Sequence, residues 1–226
     1  MAKKIFLSPS DQASNKYAYG ATNEAIQCGR IAVALEDALT RCGFEVQRLQ
    51  YYDMDEKCAY ADSWGADLYI PIHTNACNGS VSGTRIYTFT GSGEGRKAGL
   101  CIFHNLAPLT PGNSDNISAD ESLFEIRKPA APTVYCECEF HDVPETARWI
   151  VNHTQTIAEA ICKGVCEYFD VQYKSPNDNT PRTETLYCVQ IGAFRDRQNA
   201  VKMLDAAKAC GFSAFIKEED FYHESK

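Results

Sequence analysis

The chain has 226 residues, of which 44% are hydrophobic and 23% charged, and it carries a formal net charge of −8. This composition is typical of a folded globular protein rather than of a disordered chain. The acidic balance argues against a nucleic-acid-binding surface, which needs clustered Lys and Arg, and no apolar run approaches the length of a membrane span.

The N-terminal part of the chain alternates strand and helix patterns. Lys3–Leu7 is predicted as a strand, and it is followed by a helix that Thr22 caps and Gly43 ends. A second strand over Phe44–Leu49 and a short helix over Asp53–Trp64 come next. This alternation is the pattern of an α/β fold.

The same alternation continues to about residue 169. The apolar run Asp67–His73 predicts a strand that is buried on both faces of a sheet. Thr84–Thr90 and Thr133–Phe140 are two more predicted strands, with a helix over Gly95–Leu106 between them, and Pro144–Phe169 is predicted as one or two helices. We therefore expect a mostly parallel twisted sheet flanked by helices.

A polar segment with two prolines, Lys174–Thr183, interrupts these patterns and predicts a linker. It divides the chain into a domain of residues 1–173, a linker of residues 174–184 and a small α+β tail of residues 185–226. In the tail we expect a strand over residues 186–194, a helix over 196–210 and a strand over 212–217.

The chain contains eleven cysteines, none of them in a Cys-x-x-Cys pair. Most of them lie in apolar periodic segments: Cys28, Cys42, Cys101, Cys136, Cys138, Cys162, Cys166 and Cys210. We therefore expect the cysteines to act as small buried hydrophobic residues in a reducing compartment. A disulfide framework or a structural zinc module is not expected.

Chemically active side chains cluster where the predicted strands end, which is where the functional cleft of an open parallel sheet lies. They are Ser8–Gln12 after the first strand, Glu24 at the start of the first long helix, His73 with Thr74 and Asn75, and Glu137, Glu139 and His141. An imidazole and several carboxylates converging at one edge suit a cation such as Zn²⁺, with a further carboxylate free to act as general base.

Each of these residues also has a structural explanation. Glu24 in a first helical turn complements the helix dipole, His73 can be a hydrogen-bonded core histidine, and Glu139 can be a solvated acid at a strand end. The joint placement of these residues at one edge favours the functional interpretation.

Three segments carry a resemblance to a known family. IFLSPSDQ followed by Tyr19–Glu24, DLYIPIHTNA, and APTVYCECEF resemble the signature blocks of the zinc-dependent N-acetylmuramoyl-L-alanine amidases, in order over residues 3–172. The resemblance implies hydrolysis of the amide bond between N-acetylmuramic acid and the first L-alanine of the peptidoglycan stem. It also implies a zinc ion held by two histidines and a glutamate, and a later glutamate that activates water.

By position, the resemblance makes Glu24 and His73 metal ligands and Glu137 the catalytic glutamate. Asp11 stands where the family has the histidine of Gly-His-Gly-Gly. Asp11 either coordinates in its place, which is acceptable chemistry for zinc, or the site is damaged and the protein binds cell wall without catalysis. His141 is the second candidate for the missing ligand, provided that the chain turns sharply after Phe140.

The tail is similar to the first half of a SPOR repeat, a small domain that binds glycan strands stripped of their peptides. Half of such a repeat has too little core to stand alone, so two chains are expected to pair their tails as a homodimer. The alternative is a disordered or docked tail.

Peptidoglycan glycan strands and stem peptides are thus the expected partners, with no nucleic acid and no membrane. Ile5–Leu7 is too short an apolar run for a signal peptide, so we expect synthesis in the cytosol and action on the wall after release. That pattern is typical of a phage endolysin or a mother-cell lytic enzyme of sporulation. A metallopeptidase on the same sheet is a further alternative.

Two smaller groups of residues complete the predictions. Gln12, Asn75 and Arg127 are candidates for orienting the substrate. His104 and His153 lie in helical patterns and are predicted as surface or packing residues.

Overall fold

The computed structural model describes residues 2–177, 190–209, 214, 216 and 217. The chain divides into two compact units, residues 1–178 and residues 179–226. No helix among the described residues is long and apolar enough to cross a lipid bilayer.

A six-stranded sheet forms the centre of the first unit. Its strands are β1 (Lys4–Pro9), β2 (Glu45–Arg48), β3 (Leu68–Asn75), β4 (Arg85–Thr88), β5 (Asn116–Ala119) and β6 (Tyr135–Phe140), in the spatial order β2-β1-β3-β6-β4-β5. All neighbouring strands are parallel except β4 and β6, which are antiparallel. The predicted α/β fold with a mostly parallel sheet is confirmed, whereas β5 was not predicted.

Six α-helices accompany the sheet. They are α1 (Glu24–Arg41), α2 (Met54–Trp64), α3 (Gly93–Leu106), α4 (Phe124–Arg127), α5 (Pro144–Asn152) and α6 (Thr154–Tyr168). The predicted cap of α1 is wrong by one residue: the Asn23 side chain accepts a hydrogen bond from the Ile26 amide, whereas the Thr22 hydroxyl accepts one from Gln27. The segment after Pro144 contains two helices.

The two faces of the sheet are covered differently. One face packs its aliphatic side chains, such as Ile5, Leu7 and Ile70, into the main core with α1, α3 and α6. The opposite face carries Phe6 and Tyr69, which form a small cluster with residues of α2 and with a partly buried residue of α4. The rings of His73 and Tyr135 stack on this second face, 4.6 Å apart, so alternation also places Glu137 there.

In the second unit, α7 (Arg197–Ala209) confirms the predicted helix. The two predicted strands are wrong for residues 190–194, 214, 216 and 217, which are not in a strand. A strand needs a hydrogen-bonded neighbour, and no described strand pairs with these residues. The remaining residues of both predicted strands lie outside the described part of the chain.

Candidate active site

Glu24 and His73 form a buried pair at the carboxyl edge of β3. Glu24 is the first residue of α1, and its Oε1 lies 2.9 Å from Nδ1 of His73. Asn15 donates to the second carboxylate oxygen at 2.7 Å, and the Ser10 hydroxyl is a further hydrogen-bond partner. The loop between β1 and α1 therefore fixes the carboxylate against the imidazole.

The charges around His73 favour a cation at this place. Burial alone lowers the pKa of His73, but the ion-pair contact with Glu125, the hydrogen bond to Glu24 and the negative charge of Glu137 raise it to about 9. Burial likewise opposes ionisation of Glu24, yet its contacts with His73 and Asn15 hold its pKa below the ordinary value. Three carboxylates around one imidazole suit a positive charge, either a proton on the ring or a bound metal ion.

Glu137 lies beside this pair on the neighbouring strand. Its Cα is the register partner of His73 in the parallel pairing of β3 and β6. Its Oε2 is buried and has no hydrogen-bond partner among the described residues. Burial raises the pKa of Glu137 to about 7, with the charge of His73 opposing and that of Glu24 adding to the rise. Such a carboxylate is ready to exchange a proton near neutral pH.

Glu125 is a component of the site that was not predicted. It lies on the short helix α4, where its Oε1 accepts hydrogen bonds from the Tyr69 hydroxyl at 2.7 Å and from the Ser8 hydroxyl, and pairs with Nζ of Lys57 at 3.6 Å. Its Oε2 lies 3.9 Å from Nε2 of His73. Burial opposes ionisation of Glu125, but His73, Lys57 and the two hydroxyls lower its pKa to about 2.

Glu24 and Glu125 therefore face opposite nitrogens of the same imidazole. The Nε2 atom of His73 is buried and lacks a hydrogen bond to any described residue, so the 3.9 Å gap to Glu125 is an ion-pair distance rather than a hydrogen bond. Because the two ring nitrogens point in different directions, only one of these carboxylates can share a metal ion with His73.

The sequence held one weak signal for Glu125. Lys57 is buried on α2 on the same helical face as Ala61, and a buried lysine requires a negatively charged partner. The position of that partner could not be read from the sequence, because α4 has only four residues.

Asp11 is less closely associated with the site than the other predicted ligands. Its side chain is exposed. Within the described residues, the donor atoms of Asp11, Glu24 and His73 do not form a set that lies within 4.8 Å of one another. Asp11 follows Ser10, which hydrogen-bonds to Glu24, so the loop itself reaches the site. The assignment of Asp11 as a ligand stays a prediction.

His141, the second candidate for the missing ligand, is packed in the interior. Its Nδ1 lies 2.9 Å from the carbonyl oxygen of Thr74 and 3.0 Å from the Thr74 hydroxyl. Its ring stacks on Tyr17 with the centroids 5.0 Å apart. These contacts give Nδ1 of His141 a structural partner.

Glu139 is not a solvated acid, since the residue is fully buried. Its carboxylate accepts backbone N–H bonds from Gly83, Gly112 and Phe140. It therefore ties the loops before β4 and before β5 to β6. We call Glu139 and these three amides the loop anchor.

The remaining predicted residues lie in ordinary surroundings. The side chain of Gln12 accepts a hydrogen bond from Asn15 at 2.8 Å, and that of Asn75 accepts one from the Ala76 amide. Arg127 is exposed. His104 is exposed and His153 stacks on Trp149, so the prediction of surface or packing roles for these two histidines is confirmed.

Comparison with known proteins identifies the family to which this architecture belongs. Residues 5–167 match the family model for N-acetylmuramoyl-L-alanine amidase. The chain therefore belongs to the N-acetylmuramoyl-L-alanine amidase family.

Individual relatives agree with this assignment. The sporulation-specific N-acetylmuramoyl-L-alanine amidase of Bacillus subtilis is 26% identical over 229 residues, which cover 96% of this chain and 85% of that protein. The amidase CwlM of Bacillus licheniformis is 27% identical with the same coverage. Among solved structures, the catalytic domain of CwlV from Bacillus (Paenibacillus) polymyxa var. colistinus has a TM-score of 0.66 at 16% identity, covering 75% of this chain and 99% of that one. This likeness shows the shared fold.

Proposed function

We propose that this protein hydrolyses the amide bond between N-acetylmuramic acid and L-alanine in peptidoglycan, and that the reaction depends on a metal ion. The observation that carries the proposal is the buried carboxylate oxygen of Glu137, which lies beside the Glu24–His73 pair and has no hydrogen-bond partner in the described part of the chain. The family assignment over residues 5–167 supplies the bond that is cleaved.

Glu24 and His73 are the residues that would hold the metal, with Asp11 as the predicted third ligand. A carboxylate and an imidazole are ligands that Zn²⁺ prefers, and the surplus of negative charge around His73 fits a divalent cation. Zn²⁺, when bound, supplies Lewis-acid chemistry that polarises the scissile carbonyl and lowers the pKa of water.

Glu137 carries the proton in this scheme. With a pKa of about 7, its carboxylate takes a proton from the attacking water and then donates it to the nitrogen of L-alanine. The nitrogen must be protonated to leave as an amine, so one group serves as base and then as acid.

Glu125 is the residue that orients His73. Glu24 lies against Nδ1 and Glu125 faces Nε2, so a proton on Nε2 directed at Glu125 leaves Nδ1 for the metal that Glu24 shares. A carboxylate that holds the second nitrogen of a metal-bound histidine fixes its tautomer and raises its basicity. Lys57, Ser8 and Tyr69 hold Glu125 in place through its other oxygen.

The exposure of Asp11 favours a second candidate, a wall-binding protein without catalysis. Both candidates are tested by mass spectrometry of purified peptidoglycan after incubation with the full chain. We expect stem peptides with a free N-terminal L-alanine, lost with chelator and restored by zinc. Intact wall that retains the protein would support the binding protein, and hydrolysis that chelation leaves unchanged would contradict metal dependence.

Several further predictions rest on this function. We propose that glycan strands and stem peptides are the partners and that the enzyme acts on the wall after release, as an endolysin or a sporulation enzyme does. The SPOR-like tail and the pairing of two chains through it stay predictions. Light scattering of the full chain at micromolar concentration distinguishes a dimer from a monomer.

A further inference from the structure

Three cysteine sulfurs converge at the end of α1 that lies away from Glu24. Cys42 is the residue directly after α1, and Cys162 and Cys166 lie one turn apart on α6. The three Sγ atoms all lie within 4.8 Å of one another, and those of Cys42 and Cys162 are 3.7 Å apart. We call these three residues the thiol cluster.

The thiol cluster is buried and distinctive within the described part of the chain. Each of its residues is at most 4% exposed. No other set of three His, Cys, Asp or Glu donors among the described residues is this compact. The prediction of buried cysteines is correct for these three, but linear spacing gave no sign that the fold brings them together.

We propose that the thiol cluster binds a soft, thiophilic cation of the Zn²⁺ and Cu⁺ type, as a second metal site separate from the candidate active site. Zinc–sulfur bonds of about 2.3 Å in a tetrahedral arrangement place two sulfurs roughly 3.8 Å apart. The separation of 3.7 Å between Cys42 and Cys162 matches this value. Thiolates select soft cations over the hard ones that carboxylates prefer.

Backbone and charged groups of the chain lie against the thiol cluster. The backbone N–H of Lys174 donates to Sγ of Cys42 at 3.4 Å. The Arg41 guanidinium holds the carbonyl of Lys174 at 2.8 Å. These groups are the supporting contacts that metal-bound sulfurs require.

A surface cleft borders the thiol cluster. A shallow cleft opens beside Cys166, lined by Lys163, Cys166, Glu167, Asp170, Val171 and Tyr173. Glu167 and Asp170 are acidic and Lys163 is basic, so the lining keeps a small negative charge that favours the approach of a cation. An entry path of this kind is one of the conditions for a functional metal site.

The place of the thiol cluster gives the bound cation a structural role. The helix α1 has 18 residues, so its two ends are about 27 Å apart at 1.5 Å per residue. The cation is therefore remote from Glu24 and His73. It would cross-link the C-terminal end of α1 to α6, beside the backbone of Lys174.

Cadmium titration of the full chain, purified under reducing conditions and stripped with chelator, tests this site. The sulfur-to-cadmium absorption in the near ultraviolet reports thiolates alone, so an ion bound by Glu24 and His73 contributes nothing to it. We expect one equivalent of this absorption in the wild type, at least a tenfold weaker affinity in Cys42→Ala and Cys166→Ala, and no change in the control Cys101→Ala.

Protection from alkylation tests the same site without substitutions. Zinc should protect Cys42, Cys162 and Cys166 from a thiol reagent and leave the exposed Cys77 reactive. Absence of the cadmium band, an unchanged band in both cluster variants, or equal alkylation with and without zinc would each overturn the proposal. A disulfide within the cluster after reducing purification would overturn it as well.

Discussion

Two glutamates on β6 show how the same residue type serves chemistry in one place and structure in another. Glu139 accepts three backbone N–H bonds in the loop anchor. Glu137, two residues earlier, has a buried oxygen without a hydrogen-bond partner in the described residues and a pKa raised to about 7. Burial raises the pKa of Glu139 as well, but its hydrogen-bonded carboxylate holds loops together. An unsatisfied carboxylate has a stability cost that the fold tolerates where reactivity is needed.

The difference comes from what approaches each side chain. Glycine backbone reaches Glu139 because two loops come together there: a Cβ on Gly112 would lie 2.1 Å from the Gly83 nitrogen. Glu137 faces His73 and Glu24 instead. Its Oε2 has no hydrogen-bond donor among the described residues. The carboxylate therefore remains available to a water molecule or substrate.

The largest effect is expected when the Glu24–His73 pair is broken. Glu24→Gln removes the charge that shares a cation with His73, so we expect no retained zinc after dialysis and no measurable amidase activity. Metal analysis and product mass spectrometry measure both. The exposed Glu121→Gln is the control, and full zinc content in Glu24→Gln would contradict the ligand assignment.

Glu125→Gln should have a smaller effect on the same centre. Loss of a carboxylate behind a metal-bound histidine weakens metal affinity by roughly 10–100-fold, and we expect that range in a zinc competition assay. Tyr69→Phe removes one hydrogen bond to Glu125 and should weaken affinity less. Equal zinc affinity in Glu125→Gln and the wild type would show that Glu125 is only a structural partner of Lys57.

The loop anchor should respond in stability rather than in chemistry. In Glu139→Gln an NH₂ group faces a backbone N–H, so about 1–3 kcal/mol of unfolding free energy should be lost. Urea unfolding of Glu139→Gln and Glu137→Gln side by side provides the comparison. A more stable Glu139→Gln would mean that the anchor does not hold the loops.

A pH effect on stability is the smallest difference expected between these variants. The pKa of Glu137 is about 7 in the folded chain and 4.5 in its ordinary state, so the folded protein keeps a proton that the unfolded chain releases. Its contribution to stability therefore falls as pH rises from about 4.5 to 7. His73, whose pKa is raised from 6.5 to about 9, loses its own contribution to stability from about pH 6.5 upward, so most of that loss falls above this window.

Urea unfolding with chelator at pH 4.5 and 7 measures this effect. The wild type should lose stability over the interval, and Glu137→Gln should lose less. An exposed control, Glu45→Gln, should behave as the wild type, and identical slopes in all three proteins would refute the raised pKa.

Strong local patterns made most of the fold predictable. The run ending in His73 forms a strand whose residues are nearly all buried, and the helical stripe of α1 appears where its period indicated. β5 and α4 were missed because each has four residues, too few to show a period. The antiparallel pairing of β4 with β6 depends on the path of the connecting loops, which local pattern does not encode.

The residues of the candidate site likewise fall into those that the sequence predicted and those that it did not. Glu24, His73 and Glu137 belong to sequence blocks with a family resemblance, and the structure places them side by side. Glu125 and the thiol cluster depend on contacts between residues far apart in the chain. Glu125 meets Ser8 across 117 positions, and Cys42 meets Cys162 across 120. Such contacts follow from the packing of the whole domain.

Glu137, and not Glu139, is the residue that we propose for the proton transfer. The most direct test is the turnover rate of Glu137→Gln and Glu139→Gln on one defined muropeptide, with zinc content measured in the same samples. We predict about a 10²–10⁴-fold lower rate in Glu137→Gln at full zinc content, and a rate near that of the wild type in folded Glu139→Gln. Wild-type turnover in Glu137→Gln would contradict the account.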